Sequence, residues 1–305
     1  MNPWDRLLDI YFRKVLEVFA FLPPPLSYGI LPLTGHLFRK FDEYACGYEP
    51  GILPRAARSM EKVNILPTDS AQKTIIEYLR FESRFVLENI WIRRENKRHV
   101  LKSFYPEDIR SLKKYAASRN YIIVTAHFSG ILSMVELLRI SGYKSPLIAA
   151  NTFRQSWKNA KPIQRSMLLL YQSWIDRQSL LFSDSGNIIK KSCLLTEKGQ
   201  SLIIAADVPG YQDRGLIISL FGRKVWVPAG AAILAKECGI PILVALPWTS
   251  ACHRPYRVFL RKIHPVQDIH QTTVMIFKYI EEIVKRNPAN WNGWLYLDQM
   301  FSDNG

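Results

Sequence analysis

Apolar residues follow two different rhythms along this chain. Between 54 and 118 they recur every three or four positions, which predicts helices over 54–66, 71–92 and 106–118. Beyond 120 the pattern changes to short runs of consecutive apolar residues, rich in β-branched side chains and typical of strands buried on both faces. These runs cover 121–125, 147–150, 180–182, 201–206, 216–220 and 241–246, with an edge strand predicted at 257–260. Helical stretches separate or follow them at 130–140, 155–175, 187–198, 228–238 and 271–286.

The alternation of strands and helices predicts the fold class. It indicates an α/β domain with a mixed, mostly parallel sheet and helices on both faces, which we assign to 46–305. In open sheets of this kind, ligands bind beyond the carboxyl ends of the strands. His127, Asp184 and Asp207 each follow a predicted strand closely, so we expect them at that edge.

The N-terminal stretch 1–45 has a different character. Val18 to Gly35 carry no charge, but Pro23, Pro24, Pro25 and Pro32 interrupt any continuous spanning helix. Between Trp4 and Leu22, apolar residues recur at helical spacing, with basic residues off that face. This pattern predicts interfacial helices that lie in the headgroup region of a membrane. The alternative is that these helices cap the domain's own core.

Charge narrows the choice of partner. The 305 residues include 41 basic and 26 acidic ones, a net charge of +15. Such a balance favours a polyanionic partner, namely nucleic acid, an anionic membrane or a phosphorylated substrate. No nucleic-acid-binding signature, nucleotide-binding glycine loop or GxSxG elbow is found in the sequence. The four cysteines form no CxxC pair, which disfavours zinc and favours buried reduced thiols in a cytoplasmic protein.

Several motifs together indicate a family. The segment 124–130 (VTAHFSG) resembles the first motif of the lipid A late acyltransferases, within the lysophospholipid acyltransferase superfamily. Further motifs follow in the same order as in the family. They are a basic block at 151–154, a strand ending in Asp at 202–207, a Phe-Gly pair at 220–222 followed by a Pro-x-Gly helix at 227–235, and a Pro-x-x-Trp tail at 287–294.

The resemblance implies an enzyme of lipid metabolism. A member of this family moves an acyl group from an acyl carrier protein or CoA thioester to a hydroxyl, or an amine, of a membrane glycolipid such as lipid A. It implies His127 as the catalytic base, no metal and no cofactor, and a place on the cytoplasmic face of the bacterial inner membrane. It also implies roles in substrate binding for Arg154, Asp207, Phe221, Gly222 and Pro228.

One position departs from the family pattern. Where the family has an acid five positions after the histidine, this chain has Leu132, which can neither orient an imidazole nor stabilise an imidazolium. Glu136, nine positions after His127, is about half a turn out of phase on the predicted helix and is a poor substitute. The candidates that remain as partners of His127 are the carboxylates of Asp207 and Asp184 and the hydroxyls of Ser129 and Ser133.

The missing acid also keeps two further functions open. A changed motif is compatible with a changed donor, such as an aminoacyl or natural-product acyl group on a carrier protein. It is equally compatible with a non-catalytic lipid-binding homologue that keeps the fold without turnover.

Overall fold

The computed structural model describes residues 10, 14–23, 25–30, 52–65, 68–149, 180–182, 186–209 and 215–302. Its helices are α1 (Leu16–Phe19), α2 (Ile52–Lys62), α3 (Thr68–Arg93), α4 (Lys97–Lys102), α5 (Pro106–Ser118), α6 (Ile131–Ile140), α7 (Ile188–Glu197), α8 (Gly230–Glu237) and α9 (Ile269–Arg286). A tail of short 3-10 turns follows, at Pro288–Asn290, Asn292–Leu295 and Leu297–Met300. The predicted helix 155–175 and the predicted domain boundary near 45 lie outside the described residues.

Six strands form one sheet, and its order decides which strand ends meet. They are β1 (Ile122–Thr125), β2 (Leu147–Ala149), β3 (Leu180–Phe182), β4 (Leu202–Ala205), β7 (Ile242–Trp248) and β8 (Arg257–Ile263). The order is β3-β2-β4-β1-β7-β8, with every pair parallel except β7 and β8. The predicted α/β fold with a mixed, mostly parallel sheet is confirmed. The predicted edge strand is confirmed as β8.

The sheet is covered on both faces, as its all-apolar strands predict. Successive side chains of a strand point to opposite faces. Ile122 and Val124 belong to one buried cluster, which includes residues of α8 and α9. Ile123 between them belongs to a second cluster, built with α3, α4, α5 and α6. Both clusters exclude water, so the strands need no polar face.

Residues 216–220 do not extend this sheet. They belong to β5 (Gly215–Leu220), which pairs antiparallel with β6 (Arg223–Pro228) in a separate two-stranded ribbon. Phe221 and Gly222 form the turn, and both have positive φ, 50° and 76°. Two such residues in succession give the hairpin geometry that matches strand twist. The sequence pattern does not predict strand β6, because this strand begins with the basic residues Arg223 and Lys224 and so is not an apolar run.

The described part of the N-terminus packs on α3. The Trp91 indole N–H donates to the Ala20 carbonyl at 3.0 Å, and Tyr28 stacks against Trp91 at 5.5 Å between ring centroids. Val18 and Phe21 of the same segment are 62% and 76% exposed. Among the described helices, none is long and apolar enough to cross a membrane.

Two cysteines depart from the prediction of free thiols. Cys193 in α7 and Cys238 just after α8 are joined by a disulfide, with Cα atoms 4.9 Å apart. The prediction of reduced thiols is therefore wrong for this pair. The two cysteines are 45 residues apart, so their spacing does not predict the contact. The contact forms because α7 and α8 pack side by side. Cys252 is buried and free.

Candidate active site

His127 lies two residues beyond β1, in a tight turn that leads into α6. The Phe128 amide donates to the Ala126 carbonyl at 2.7 Å, which reverses the chain. Phe128 is fully buried and anchors the turn, whereas the His127 side chain is 36% exposed. The turn therefore presents an imidazole that solvent, or a substrate, can reach.

Asp207 occupies the equivalent position after the neighbouring strand. β1 and β4 are parallel with Thr125 opposite Ala205, so residues 127 and 207 leave the sheet side by side. The His127 Nδ1 atom lies 2.7 Å from Asp207 Oδ1. A carboxylate only accepts hydrogen bonds, so Nδ1 carries the proton and Nε2 has the free lone pair. The pair thus has the orientation of a base held by an acid.

The mutual attraction of His127 and Asp207 shifts the pKa values of both groups. Burial acts to lower the pKa of His127, but the charge of Asp207 and the hydrogen bond to it outweigh burial and raise that pKa above its usual value. Burial acts to raise the pKa of Asp207, yet the charge and hydrogen bonds of His127, with a bond from Trp291, lower it. Asp207 is therefore ionised at neutral pH, and its negative charge favours the protonated form of the imidazole.

The remaining candidate partners of His127 are engaged elsewhere or undescribed. Ser133 donates to Glu88 at 2.8 Å, and the Ser129 hydroxyl faces Asn290. Glu136 pairs with Arg139 within α6. Asp184 lies outside the described residues. Among the described residues, Asp207 is the carboxylate that meets the imidazole.

Leu132 has a different environment from the acid that it replaces. It is 7% exposed and belongs to the apolar cluster between the sheet and α3 to α6. An acid introduced there would be buried among apolar side chains, where its charged form is strongly disfavoured. Restoring the family residue by Leu132→Glu is therefore not a repair of this site.

A buried ion pair lies near the turn that carries His127. Arg84 in α3 donates to Glu88 at 2.6 Å, and both side chains are essentially inaccessible to solvent. Glu88 also accepts from Tyr28 at 2.9 Å, Ser133 at 2.8 Å and Tyr256 at 3.3 Å. The guanidinium stacks over the rings of Tyr28 and Tyr256, at 4.3 Å and 3.7 Å. No sequence pattern predicts this network, because Arg and Glu are usually exposed.

Tyr256 connects this network to the turn. A Cβ atom at Gly130 would lie 2.8 Å from the Tyr256 ring, too close for any other residue type at the observed backbone. The glycine of the His-Phe-Ser-Gly segment is therefore needed for close approach of the ring.

Three of the other predicted site residues, Phe221, Gly222 and Pro228, lie in or at the end of the β5–β6 hairpin. Phe221 is buried and packs on Trp291 and Trp294, with ring centroids 5.6 Å and 5.4 Å apart. Gly222, the second residue of the hairpin turn, is exposed, and Pro228 ends β6. Their roles in substrate binding stay predictions. Arg154 lies outside the described residues.

Sequence comparison identifies one family. Residues 158–299, slightly less than half of the chain, match the family described as bacterial lipid A biosynthesis acyltransferase. The match includes Asp207 and the tail, and His127 lies upstream of it. No curated protein matches the chain. The predicted resemblance to this family is confirmed, and with it the prediction of an acyltransferase.

A solved structure was also found. It is the crystal structure of the 1-acyl-sn-glycerophosphate (LPA) acyltransferase from Thermotoga maritima, at 18% identity and a TM-score of 0.31. The alignment covers 82% of this chain and 97% of that one.

Proposed function

We propose that this acyltransferase moves an acyl group from a thioester of acyl carrier protein or CoA to a hydroxyl of a membrane glycolipid such as lipid A. The observation that supports the proposal is the His127–Asp207 pair, in which Asp207 bonds Nδ1 and the imidazole side chain is 36% exposed at the carboxyl edge of the sheet. Ligands of open α/β sheets bind at that edge.

The residues define the step. Nε2 of His127 takes the proton of the acceptor hydroxyl as its oxygen attacks the thioester carbonyl. The C–O bond forms, the C–S bond breaks, and the imidazolium returns the proton to the departing thiolate. Asp207 holds the ring in the required tautomer throughout and compensates its transient charge. No metal or organic cofactor takes part in this proposal.

The net charge supports the choice of donor and acceptor. An acyl carrier protein and CoA are both acidic, and a lipid A precursor carries phosphates. A chain of net charge +15 attracts all three by long-range electrostatics. Arg154 is proposed to bind one of these phosphates, because a guanidinium forms paired hydrogen bonds with phosphate oxygens.

The intact pair also bears on the two rival functions. A homologue without turnover has no need for a buried carboxylate bonded to a partly exposed imidazole, so the geometry favours an enzyme over a lipid-binding protein. A different donor, such as an aminoacyl thioester, uses the same base and carboxylate. Assays with both kinds of donor distinguish an aminoacyl thioester from a fatty acyl thioester.

Turnover with defined donors tests the proposal. The purified chain is incubated with carrier-protein and CoA thioesters of several acyl lengths, aminoacyl thioesters included, and with lipid A precursors or lysophospholipids. Mass spectrometry follows the acylated product and the free thiol. We expect product that requires His127. No product from any donor, or equal product from His127→Ala, would overturn the enzyme proposal.

We further propose that residues 1–45 hold the protein on the cytoplasmic face of the inner membrane. Val18, Phe21 and Leu26 are 62%, 76% and 59% exposed, which places three large apolar side chains of one short segment in water. Arg94 stacks over the Phe21 ring at 4.0 Å, and exposed Lys97 follows it closely in sequence. Apolar tips beside cations match the headgroup region of an anionic bilayer.

Phe21→Asp is expected to weaken binding to anionic vesicles by about 10-fold to 100-fold, because burying one Phe contributes about 1.5–3 kcal/mol. Vesicle flotation measures the bound fraction. Leu194→Asp is the matched control: Leu194 is 47% exposed but lies in α7, so its replacement should leave flotation unchanged. Equal flotation of wild type and Phe21→Asp would contradict the membrane role.

A further inference from the structure

The two oxygens of Asp207 have different partners. Oδ1 receives the His127 imidazole at 2.7 Å. Oδ2 accepts the backbone N–H of His127 at 2.8 Å and the indole N–H of Trp291 at 2.7 Å, with the Tyr296 hydroxyl further away at 3.4 Å. A carboxylate rotates readily about its last torsion when nothing holds it. Two N–H groups on one oxygen fix its plane.

Trp291 is itself held firmly. Its side chain is fully buried and packs against both Phe221 and Trp294, with ring centroids 5.6 Å and 4.8 Å away. A Cβ atom at Gly293 would lie 2.0 Å from the indole, so the glycine leaves room for the ring. The indole N–H is therefore a preorganised donor aimed at one oxygen of Asp207.

The tail that carries Trp291 is bonded directly to the catalytic turn. The Asn292 amide donates to the His127 carbonyl at 2.7 Å, and the Ser129 amide donates to the Asn290 carbonyl at 2.8 Å. Phe128 and Trp291 form an antiparallel bridge between these two bonds. Any movement of the turn therefore moves Trp291 with it, which keeps indole, carboxylate and imidazole in register.

We propose that Trp291 is a positioning residue that fixes the Asp207 carboxylate and, through it, the orientation of the His127 ring. This inference rests on the proposed function. Trp291 touches neither substrate nor the reacting nitrogen in this scheme. Its contribution is to keep Oδ1 on Nδ1, so that Nε2 points outward.

The indole N–H also influences proton affinity. A hydrogen bond to a carboxylate stabilises its ionised form. Without it, Asp207 and His127 as a coupled pair bind protons more tightly, so the acid limb of the pH–rate profile moves to higher pH. Simple loosening of the core does not predict that direction.

Trp291→Phe tests the proposal against Trp91→Phe. Both indoles are fully buried, but that of Trp91 donates to the Ala20 carbonyl at 3.0 Å, not to Asp207. In Trp291→Phe we expect kcat to fall about 10-fold to 100-fold with KM little changed, since small errors in positioning have effects of that size. The acid limb should move to higher pH. In Trp91→Phe both kcat and the position of the acid limb should stay near wild type.

Similar losses in the two variants, or a loss in Trp291→Phe with no movement of the acid limb, would overturn the positioning role. If Trp291→Phe does not fold, 3-benzothienylalanine at position 291 keeps the ring shape and removes the N–H. Normal kcat in that protein would equally overturn it.

A spectroscopic readout separates this inference from the proposed function. The proton between Nδ1 and Oδ1 is expected to give a low-field NMR signal that is absent in His127→Ala. It should shift in Trp291→Phe and not in Trp91→Phe, whether or not the right substrate has been found. An unchanged signal in Trp291→Phe defeats the inference alone. Absence of His127-dependent turnover defeats the proposed function alone.

Discussion

Asp207→Asn is expected to lower kcat about 10³-fold to 10⁴-fold while the fold stays intact, by the logic of a base held by a buried acid. The oxygen of the new side-chain amide must take the place of Oδ2, because two N–H donors point there. The amide NH₂ then faces Nδ1 of His127 and can only donate. Nδ1 becomes the acceptor, the proton moves to Nε2, and the base is lost.

The pH dependence of the reaction has a definite sign. His127 must be neutral to accept a proton, so the rate rises as pH increases through its pKa, which Asp207 raises above the usual value. Asp207→Asn removes that negative charge, so the acid limb of the residual activity should move to lower pH. Initial rates across the range from acidic to mildly alkaline pH measure it. An unmoved limb would mean that another group controls the profile.

A double variant serves as the control. If His127 and Asp207 act as a unit, the protein carrying both His127→Ala and Asp207→Asn should be no slower than His127→Ala alone. Multiplied losses would show that Asp207 acts independently of the imidazole. Circular dichroism and thermal melting of each variant establish that folding is retained.

Glu88→Ala is expected to lower the free energy of unfolding by about 3–5 kcal/mol, since removal of one partner leaves a charge buried without compensation. Arg84 is fully buried, and its Nη2 atom already lacks a hydrogen-bond partner among the described residues. The hydroxyls of Tyr28 and Ser133 would lose their acceptor as well. Urea unfolding followed by fluorescence gives the change.

Glu282→Ala is the matched control for that prediction. Glu282 and Arg286 form the same kind of pair four residues apart on a helix, but their side chains are 44% and 47% exposed. Exposed pairs contribute about 0–1 kcal/mol, so the unfolding free energy should change little. Equal effects at the two sites would show that the buried network does not stabilise the fold.

The sequence was sufficient to predict most of the described strands and helices and to select His127 as a candidate base, but not to predict which carboxylate meets its imidazole. Apolar runs identify β1 and β4, and a polar residue after each is visible by inspection. Which strands are neighbours is not encoded in those runs, because each is compatible with any position in a buried sheet. Asp207 therefore stands on equal terms with Asp184 until the order β3-β2-β4-β1-β7-β8 places β4 beside β1.

Other features of the site also depend on contacts between distant segments, which the sequence pattern does not show. Trp291 is recognisable as part of a motif, but its indole bond depends on a tail that returns across the sheet edge. The Arg84–Glu88 pair contradicts the usual exposure of charged residues, so no hydrophobic pattern reveals it. Leu132 breaks the family motif in sequence, whereas in three dimensions the acid is supplied from another strand.

The attachment of the tail to the catalytic turn has a consequence for protein synthesis. The base, its carboxylate and the indole come from three segments that leave the ribosome at very different times. His127 and Asp207 emerge long before residues 290–296, which close the turn from the other side. A nascent chain therefore carries the histidine and the aspartate before the indole can hold the carboxylate, and the arrangement is complete only when residues 290–296 have emerged and docked.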